Sequence, residues 1–132
     1  MKVGIDLQSI TELRARPSLL GSRVVFTAYE RAYCDDKPDR ASSLAGILCA
    51  KEACLKLLFG FDDLPRLTWH DVEIRHAQNG RPIVRAGRRL AGWLAERTLA
   101  LDVSISHSGD YAMAAAVAAA IAAPSGAPAG VG

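Results

Sequence analysis

The feature that most constrains the fold is an apolar segment of helical periodicity in the middle of the chain. Its leucine and isoleucine residues recur at the three- and four-residue spacing that places side chains on one face of a helix. Ser42 or Ser43 is a candidate N-cap and Gly60 is a stop signal, which predicts a helix from Ser42 or Ser43 to Phe59. The periodic positions are Leu44, Ile47, Leu48, Leu55 and Leu58.

Short apolar runs on both sides of this helix predict strands. Residues 3–7 form a β-branched run interrupted by Asp6, which indicates a buried strand with a carboxylate near its end. Residues 102–107 alternate strictly, so Val103 and Ile105 share one face and His107 stands at the end. Residues 71–75 and 82–84 flank an Asn-Gly turn, which predicts a hairpin.

Three further helices are expected. One runs from Ser9 to about Leu20, with Ser9 or Thr11 as its cap and Pro17 limiting its length. A second starts at a Thr27–Glu30 capping box and ends before the polar stretch 35–39. A third covers residues 88–99 by composition. Its expected core positions are Leu90, Trp93, Leu94 and Leu101.

The segment 111–122 is ambiguous from its residues alone. Its alanine content favours a helix, whereas its position directly after the tight turn at 108–110 favours a returning strand. The tail 123–132 is rich in proline and glycine and has no apolar periodicity, so we expect it to be disordered. The folded domain should therefore span residues 1–122.

Composition excludes several classes of protein. The 132 residues suit one domain, and a formal net charge of +2 is low for a nucleic-acid-binding protein. Asp6 comes too early for a signal peptide, and the longest uncharged apolar run, 112–123, is too short to span a bilayer. The odd cysteine count without a CxxC pair predicts small core residues in a reducing compartment, and we expect a cytoplasmic protein. The cysteines are Cys34, Cys49 and Cys54.

A few residues could carry chemistry. Glu52 and Lys56 are four residues apart, so they meet on one helix face, although such a pair is often only a surface ion pair. Asp6 is an acid in an apolar strand, and a buried carboxylate needs a cation or a metal. Together the two acids and the lysine are compatible with a site for Mg²⁺ and phosphate. His107 is either a solvent-facing histidine or a functional group.

Longer motifs are more specific than this spacing. The segments 4–7 and 43–56 resemble the holo-(acyl carrier protein) synthase family of 4′-phosphopantetheinyl transferases, with its G-x-D strand and K-E-A-x-x-K helix. Segments 71–74, 79–82, 103–108 and 111–112 match in the same order, so the resemblance covers residues 3–121. It implies a small single-domain α+β fold in which an antiparallel sheet packs on a long helix. It also implies that the segment beginning at Tyr111 is a strand, against its propensity.

The resemblance implies transfer of phosphopantetheine from coenzyme A to a serine of an apo acyl carrier protein, with release of adenosine 3′,5′-bisphosphate. The catalytic residues would be Asp6, Glu52 and Lys56, and Asp6 and Glu52 would hold Mg²⁺. The ion and Lys56 would neutralise the pyrophosphate, and either Glu52 or a metal-bound water would accept the serine proton. The implied coenzyme-binding residues are Lys56, His107, Ser106, Arg40 and Gly60.

The resemblance also implies partners. The carrier protein is acidic, and the family docks it near the first helix, where this chain has Arg14, Arg16 and Arg23. The same arginines are equally compatible with a solvated helix face. Family members of this size form homotrimers with the site at the subunit interface.

Two departures from the family pattern leave alternatives open. Ile47 stands where the family has an arginine that holds a coenzyme phosphate, and Arg40 is a candidate replacement. The segment 57–63 replaces a Gly-Thr-Gly type loop with a bulky acidic one. A catalytically weakened homologue that binds a carrier protein is therefore an alternative. An unrelated α+β protein, with Glu52 and Lys56 as a mere ion pair, is another.

Overall fold

One long helix and a three-stranded sheet form the centre of the structure. The computed structural model describes residues 1–122, and the tail 123–132, for which we expect disorder, lies outside the described residues. The elements in chain order are β1 (Lys2–Ser9), α1 (Ile10–Arg14), α2 (Pro17–Leu20), α3 (Ala28–Asp35), α4 (Arg40–Leu58), β2 (Val72–His76), β3 (Pro82–Ala86), α5 (Arg88–Glu96), β4 (Leu99–Ser108) and β5 (Tyr111–Ala120). This arrangement confirms the α+β expectation.

The alanine-rich segment is the central strand of the sheet. The strand order is β1-β5-β4, all antiparallel, while β2 and β3 form a separate hairpin. Alternate alanines of β5 are buried beneath α4, and their small side chains let the helix approach the sheet closely. Pairing on both sides and this packing override the helix propensity of alanine. The buried alanines are Ala112, Ala114, Ala116 and Ala118.

Strand β1 presents its polar side to the core and its apolar side outward. Gly4 and Asp6 face α4, whereas Val3, Ile5 and Leu7 are 61%, 58% and 59% exposed. The expectation of a buried strand is therefore wrong for the face of Val3, Ile5 and Leu7, because no residue of 1–122 covers it. The sheet has one face packed on α4 and one open face, which is apolar along β1 and polar along β4, where Asp102, Ser104 and Ser106 are exposed.

Gly4 allows β1 to lie unusually close to α4. A Cβ at this position would collide with the carbonyl oxygen of Ala53 on α4. A glycine is therefore required where the two backbones approach. Since Asp6 lies two residues further on the same face of the strand, this approach brings its carboxylate against the helix.

Two helix boundaries differ from the sequence predictions. Helix α4 begins at Arg40, because Asp39 is the N-cap and its carboxylate accepts a hydrogen bond from the Ser42 amide at 3.2 Å. The expected single helix from Ser9 to Leu20 is two short helices. The break falls at Arg16, which is non-helical with φ −122° because the following Pro17 disfavours a helical conformation there. Ser9 caps α1 as expected.

Helix α5 is shorter, and β4 longer, than predicted. The helix ends at Glu96, and Thr98, with φ 53°, reverses the chain so that β4 begins at Leu99. Leu99 and Leu101 are therefore strand residues rather than helix positions. The apolar character of these leucines does not distinguish a helix from a strand, because a short apolar run fits either element. Leu90, Trp93 and Leu94 are buried on α5 as predicted.

A buried ion pair joins three elements behind the sheet. Lys51 on α4 donates to the Glu30 carboxylate at 2.9 and 3.1 Å and to the Val72 carbonyl at 2.8 Å. Glu30 also accepts from the amides of Thr27, which completes the predicted capping box, and of Ile74. Both charged side chains are fully buried, and burial lowers the pKa of Lys51. The pair fixes α3 and β2 against α4.

The cysteines and the helices fit two further expectations. Cys34, Cys49 and Cys54 are buried and unpaired, as predicted for small core residues. Their burial raises the pKa of each thiol to about 12, so none is a ready nucleophile. Across residues 1–122, no helix combines the length and apolar character needed to cross a membrane.

Candidate active site

Asp6, Glu52 and Lys56 meet where β1 crosses α4. The Lys56 ammonium donates to Asp6 Oδ1 at 2.7 Å and to the Ile5 carbonyl at 3.1 Å. The Asp6 side chain is only 10% exposed, whereas that of Lys56 is 57% exposed. The lysine therefore covers the buried acid while its own charge remains accessible to a ligand. The structure brings together the three residues that the sequence analysis singles out for catalysis.

Glu52 has an unusual electrostatic environment. Its carboxyl group lies within hydrogen-bonding reach of Asp6, and burial together with this neighbour raises the pKa of Glu52 to about 7, against the opposing charge of Lys56. A like charge at short range disfavours ionisation, and a cation would relieve it. The pair of carboxylates is thus an electrostatically favourable place for a positive ion.

The donor set fits Mg²⁺ bound together with a phosphate. Within the described part of the chain, no group of three or more His, Cys, Asp or Glu side chains is placed to hold a metal ion. Mg²⁺ usually takes one or two protein carboxylates and completes its shell with water and substrate phosphates. Asp6 and Glu52 supply that number of hard oxygen ligands, and a closed protein cage is not needed.

A cavity of about 330 Å³ opens beside this cluster. Glu52 and Lys56 lie at one side of it, and apolar side chains make up most of the remaining wall. This wall is not predictable from the sequence, since its residues come from α4 and the following connection and share no periodicity. The other lining residues are Leu55, Phe59, Leu67, Thr68 and Trp69.

The acidic loop after α4 is held away from this cavity. The Asp63 carboxylate pairs with Arg97, and its carbonyl accepts from the Trp93 indole nitrogen at 3.2 Å. The Phe61 ring packs edge-on against Trp93 at 5.0 Å between ring centroids. Among the residues of 57–63, only Phe59 lines the cavity in the part of the chain described.

His107 lines a second cavity, of about 210 Å³. Its Nε2 lies 3.0 Å from the Ser42 carbonyl, which can only accept, so this nitrogen carries the proton. Gly46 makes room for the ring, because a Cβ there would lie 2.9 Å from His107 Cε1. The glycine was part of a recognised motif, but its steric role became visible only in the structure. Ile47 forms part of the same wall.

The remaining expected coenzyme-binding residues are dispersed. Ser106 alternates with His107 on β4 and so faces the open side of the sheet. Arg40 pairs with Asp35 at 2.6 Å and donates to the Leu20 carbonyl at 3.3 Å. Gly60 lies beyond the end of α4, next to the Lys2 side chain. The structure does not bring these three residues to the His107 cavity of the same chain.

The three arginines expected to dock a partner also differ in their surroundings. Arg14 pairs with Asp39 at 2.7 Å. The positive charge of Arg16, which lies between α1 and α2, makes a small contribution that lowers the pKa of Glu52. The carbonyl of Arg23 accepts from His70 at 2.7 Å, while no ion pair of its guanidinium occurs within residues 1–122.

The family model and the sequence relatives that match this chain point to the same family. The model of the 4′-phosphopantetheinyl transferase superfamily matches residues 2–116. A holo-[acyl-carrier-protein] synthase of Chlorobaculum tepidum is 33% identical over 119 residues, which covers 88% of this chain and 96% of the relative. One of Moorella thermoacetica is 39% identical over 123 residues, covering 88% and 91%.

Solved structures agree with the sequence matches. The acyl carrier protein synthase of Mycobacterium tuberculosis superimposes with a TM-score of 0.71 at 34% identity, covering 91% of this chain and 97% of that one. The synthase–CoA complex from Chronobacterium ammoniagenes gives 0.75 at 28%, covering 92% and 98%. Matches of this extent exclude an unrelated α+β protein. The chain therefore belongs to the holo-(acyl carrier protein) synthase family of 4′-phosphopantetheinyl transferases.

Proposed function

We propose that this protein transfers the 4′-phosphopantetheine group of coenzyme A to a serine of an apo acyl carrier protein, with Mg²⁺, and releases adenosine 3′,5′-bisphosphate. The observation that carries the proposal is the Asp6, Glu52 and Lys56 cluster at the edge of a cavity. Relatives named as holo-[acyl-carrier-protein] synthases and a relative solved with coenzyme A support the same substrates. The three unpaired cysteines fit a cytoplasmic setting.

Asp6 and Glu52 would hold the metal ion. When bound, Mg²⁺ supplies positive charge to the pyrophosphate oxygens. Lys56 contributes a second cation, since its hydrogen bond to Asp6 raises its pKa and keeps it protonated. Its exposed ammonium can contact a substrate phosphate without any movement of α4. These groups are fixed by β1 and α4 before substrate arrives, as electrostatic stabilisation of the transition state requires.

The reaction requires a proton acceptor close to the serine. The serine oxygen forms a bond to the phosphorus that carries the pantetheine arm, and the bond from that phosphorus to the bridging oxygen breaks. Adenosine 3′,5′-bisphosphate leaves with the electron pair. Glu52, one of the carboxylates of this cluster, is a candidate acceptor of the serine proton.

The nucleotide end of coenzyme A is proposed to bind in the His107 cavity. His107 and Gly46 lie on one side of it. Gly46 precedes Glu52 by six residues on α4, a rise of about 9 Å along the helix. Arg40 could contribute a charge only by leaving Asp35, and Ser106 could contribute only to a neighbouring copy across the open sheet face.

Assembly into a homotrimer is proposed because one face of the sheet is open. The open face of the sheet exposes large apolar side chains that a monomer would leave in water. Copies that cover this face would bury Val3, Ile5 and Leu7 and would bring further residues to the edge of the active site. Met113 on β5, 44% exposed, belongs to the same face.

The carrier protein is proposed to dock on α1 and α2. Arg16 contributes positive potential at Glu52, where the serine of an acidic partner must arrive. Arg14 and Arg23 extend the basic surface, although Arg14 is already paired with Asp39. Docking here would present the serine to the carboxylate cluster.

The features that suggested a weakened homologue lie away from this cluster. Ile47 lines the His107 cavity, and Asp63 is paired with Arg97. Neither residue lines the cavity beside Glu52 and Lys56. The active transferase is therefore the better-supported function.

The direct test is the intact mass of an apo acyl carrier protein after incubation with this protein, coenzyme A and Mg²⁺. We expect a gain of one phosphopantetheine, which EDTA and Glu52→Ala should each prevent. No gain with several apo carrier proteins would contradict the proposed function. A gain that persists in EDTA would contradict the metal site alone.

A further inference from the structure

A histidine outside the recognised motifs lines the same cavity as His107. His76, the last residue of β2, packs its ring on Tyr33 of α3 at 3.7 Å between centroids and 3° between planes. Tyr29, one turn earlier on α3, lies parallel to Tyr33 at 6.4 Å. The imidazole is therefore held rigidly in the cavity wall by an aromatic stack.

One nitrogen of this imidazole is buried without a partner. His76 Nδ1 is the buried side-chain nitrogen or oxygen for which residues 1–122 offer no hydrogen bond. Burial, together with the charge of Lys37, lowers the pKa of His76 and so favours the neutral ring. A neutral imidazole has one N–H, and leaving Nδ1 bare avoids burying an unpaired donor. The N–H then lies on Nε2.

The cavity has the size and the walls of a site for one planar ring system. At about 210 Å³ it is smaller than the roughly 300 Å³ at which pockets for whole drug-sized ligands begin. Apolar side chains form much of the wall, and Ile47, 2% exposed, adds no charge. The side chains in the wall that carry polar atoms are Tyr33, Ser43, His76 and His107. Such a mixture suits a purine base better than a phosphate group alone.

We propose that His76, backed by Tyr33, is a binding residue for the adenine nucleotide of coenzyme A, to which its ring offers a stacking face and an N–H donor. This inference rests on the proposed function and adds a specificity-determining residue to it. The retention of an unpaired buried nitrogen then has a functional explanation, since a phenylalanine would pack on Tyr33 without that penalty.

The test separates the hydrogen bond from the packing. His76→Phe keeps a flat ring on Tyr33 but removes the N–H, and His76→Gln can place an amide N–H near the position of Nε2. His70→Phe is the matched control, because His70 bonds the Arg23 carbonyl outside this cavity. Calorimetry would measure binding of adenosine 3′,5′-bisphosphate to the full chain, and of 4′-phosphopantetheine as the ligand without a nucleotide.

We expect His76→Phe to weaken adenosine 3′,5′-bisphosphate binding about tenfold, with the affinity for 4′-phosphopantetheine and the melting temperature little changed. His76→Gln should retain more affinity than His76→Phe, and the KM for coenzyme A should rise with kcat unchanged. If the wild type transfers phosphopantetheine and His76→Phe binds adenosine 3′,5′-bisphosphate with unchanged affinity, this inference alone is overturned. A wild type that neither binds coenzyme A nor transfers would overturn the proposed function as well.

Discussion

Asp6 and Glu52 bring two carboxyl groups within hydrogen-bonding reach across the contact between β1 and α4. The proximity depends on Gly4, which lets the strand lie against the helix backbone. Burial and the neighbouring acid raise the pKa of Glu52 to about 7, so ionising both carboxyl groups is unfavourable even beside the Lys56 ammonium. The fold thus maintains a locally destabilising site that a bound cation would stabilise.

The stability of the metal-free protein should reflect this relationship. The pKa of Glu52 in the folded state lies above its ordinary value of 4.5, so between about pH 4.5 and 7 the folded protein binds more protons than the unfolded chain. The free energy of unfolding should therefore fall as pH rises through this window. Glu52→Gln should remove this decrease and be more stable at pH 8, by on the order of 1–3 kcal/mol. Urea unfolding in EDTA at several pH values would measure it, and a decrease that persists unchanged in Glu52→Gln would refute the assignment.

Transfer activity should depend on Asp6 and not on the acidic loop. Asp6→Asn removes a ligand of the proposed metal site and should lower kcat/KM at least about a hundredfold. Asp62→Asn changes a similar acid in the exposed loop and should retain activity within about twofold. Mass spectrometry of the carrier protein would compare the two, and equal losses would argue against a specific role for Asp6.

Gly46→Ala should impair coenzyme binding more than folding. The added methyl group would lie 2.9 Å from His107 Cε1, so the ring must move from its position against Ser42. We expect the KM for coenzyme A to rise about tenfold while kcat changes little. The control is Gly92→Ala, because Gly92 lies on the exposed face of α5 and a Cβ there would meet nothing within 4 Å. An unchanged KM in Gly46→Ala would separate His107 from coenzyme binding.

Lys51→Met should destabilise the fold strongly. It leaves Glu30 as an unpaired charge in a fully buried position, a change that typically lowers the free energy of unfolding by about 3–5 kcal/mol. Glu30→Gln combined with Lys51→Met removes both charges and should be less destabilised than Lys51→Met alone. Denaturant titration would measure both, and a double variant weaker than the single one would contradict this account.

The open sheet face should control assembly. Ile5→Glu places a charge in the centre of the exposed apolar face of β1 and should shift a trimer towards monomers, as measured by light scattering during gel filtration. Ile83→Glu, on the β2–β3 hairpin with 38% exposure, is the control and should leave the assembly intact. A wild type that is monomeric at micromolar concentration would refute the trimer directly.

Local signals in the sequence determined much of the fold and the candidate site. Helix α4 follows from its apolar periodicity, and the hairpin follows from an Asn-Gly turn whose Gly80 has φ 87°. The capping box at Thr27 follows from the spacing of Thr and Glu. Asp6, Glu52 and Lys56 were found through motifs that local sequence carries, and the structure joins them. These features depend on residues close together in the chain.

Tertiary structure alone decided the features that depend on distant segments. The alanine-rich β5 is a strand because β1 and β4 pair with both its edges and α4 covers one face. Which face of β1 is buried depends on Gly4 meeting Ala53, and the Glu52 pKa depends on Asp6 and burial. His76 meets Tyr33 only because β2 packs beside α3. Strand pairing, close backbone approach and burial arise from contacts between remote residues, and local periodicity does not encode them.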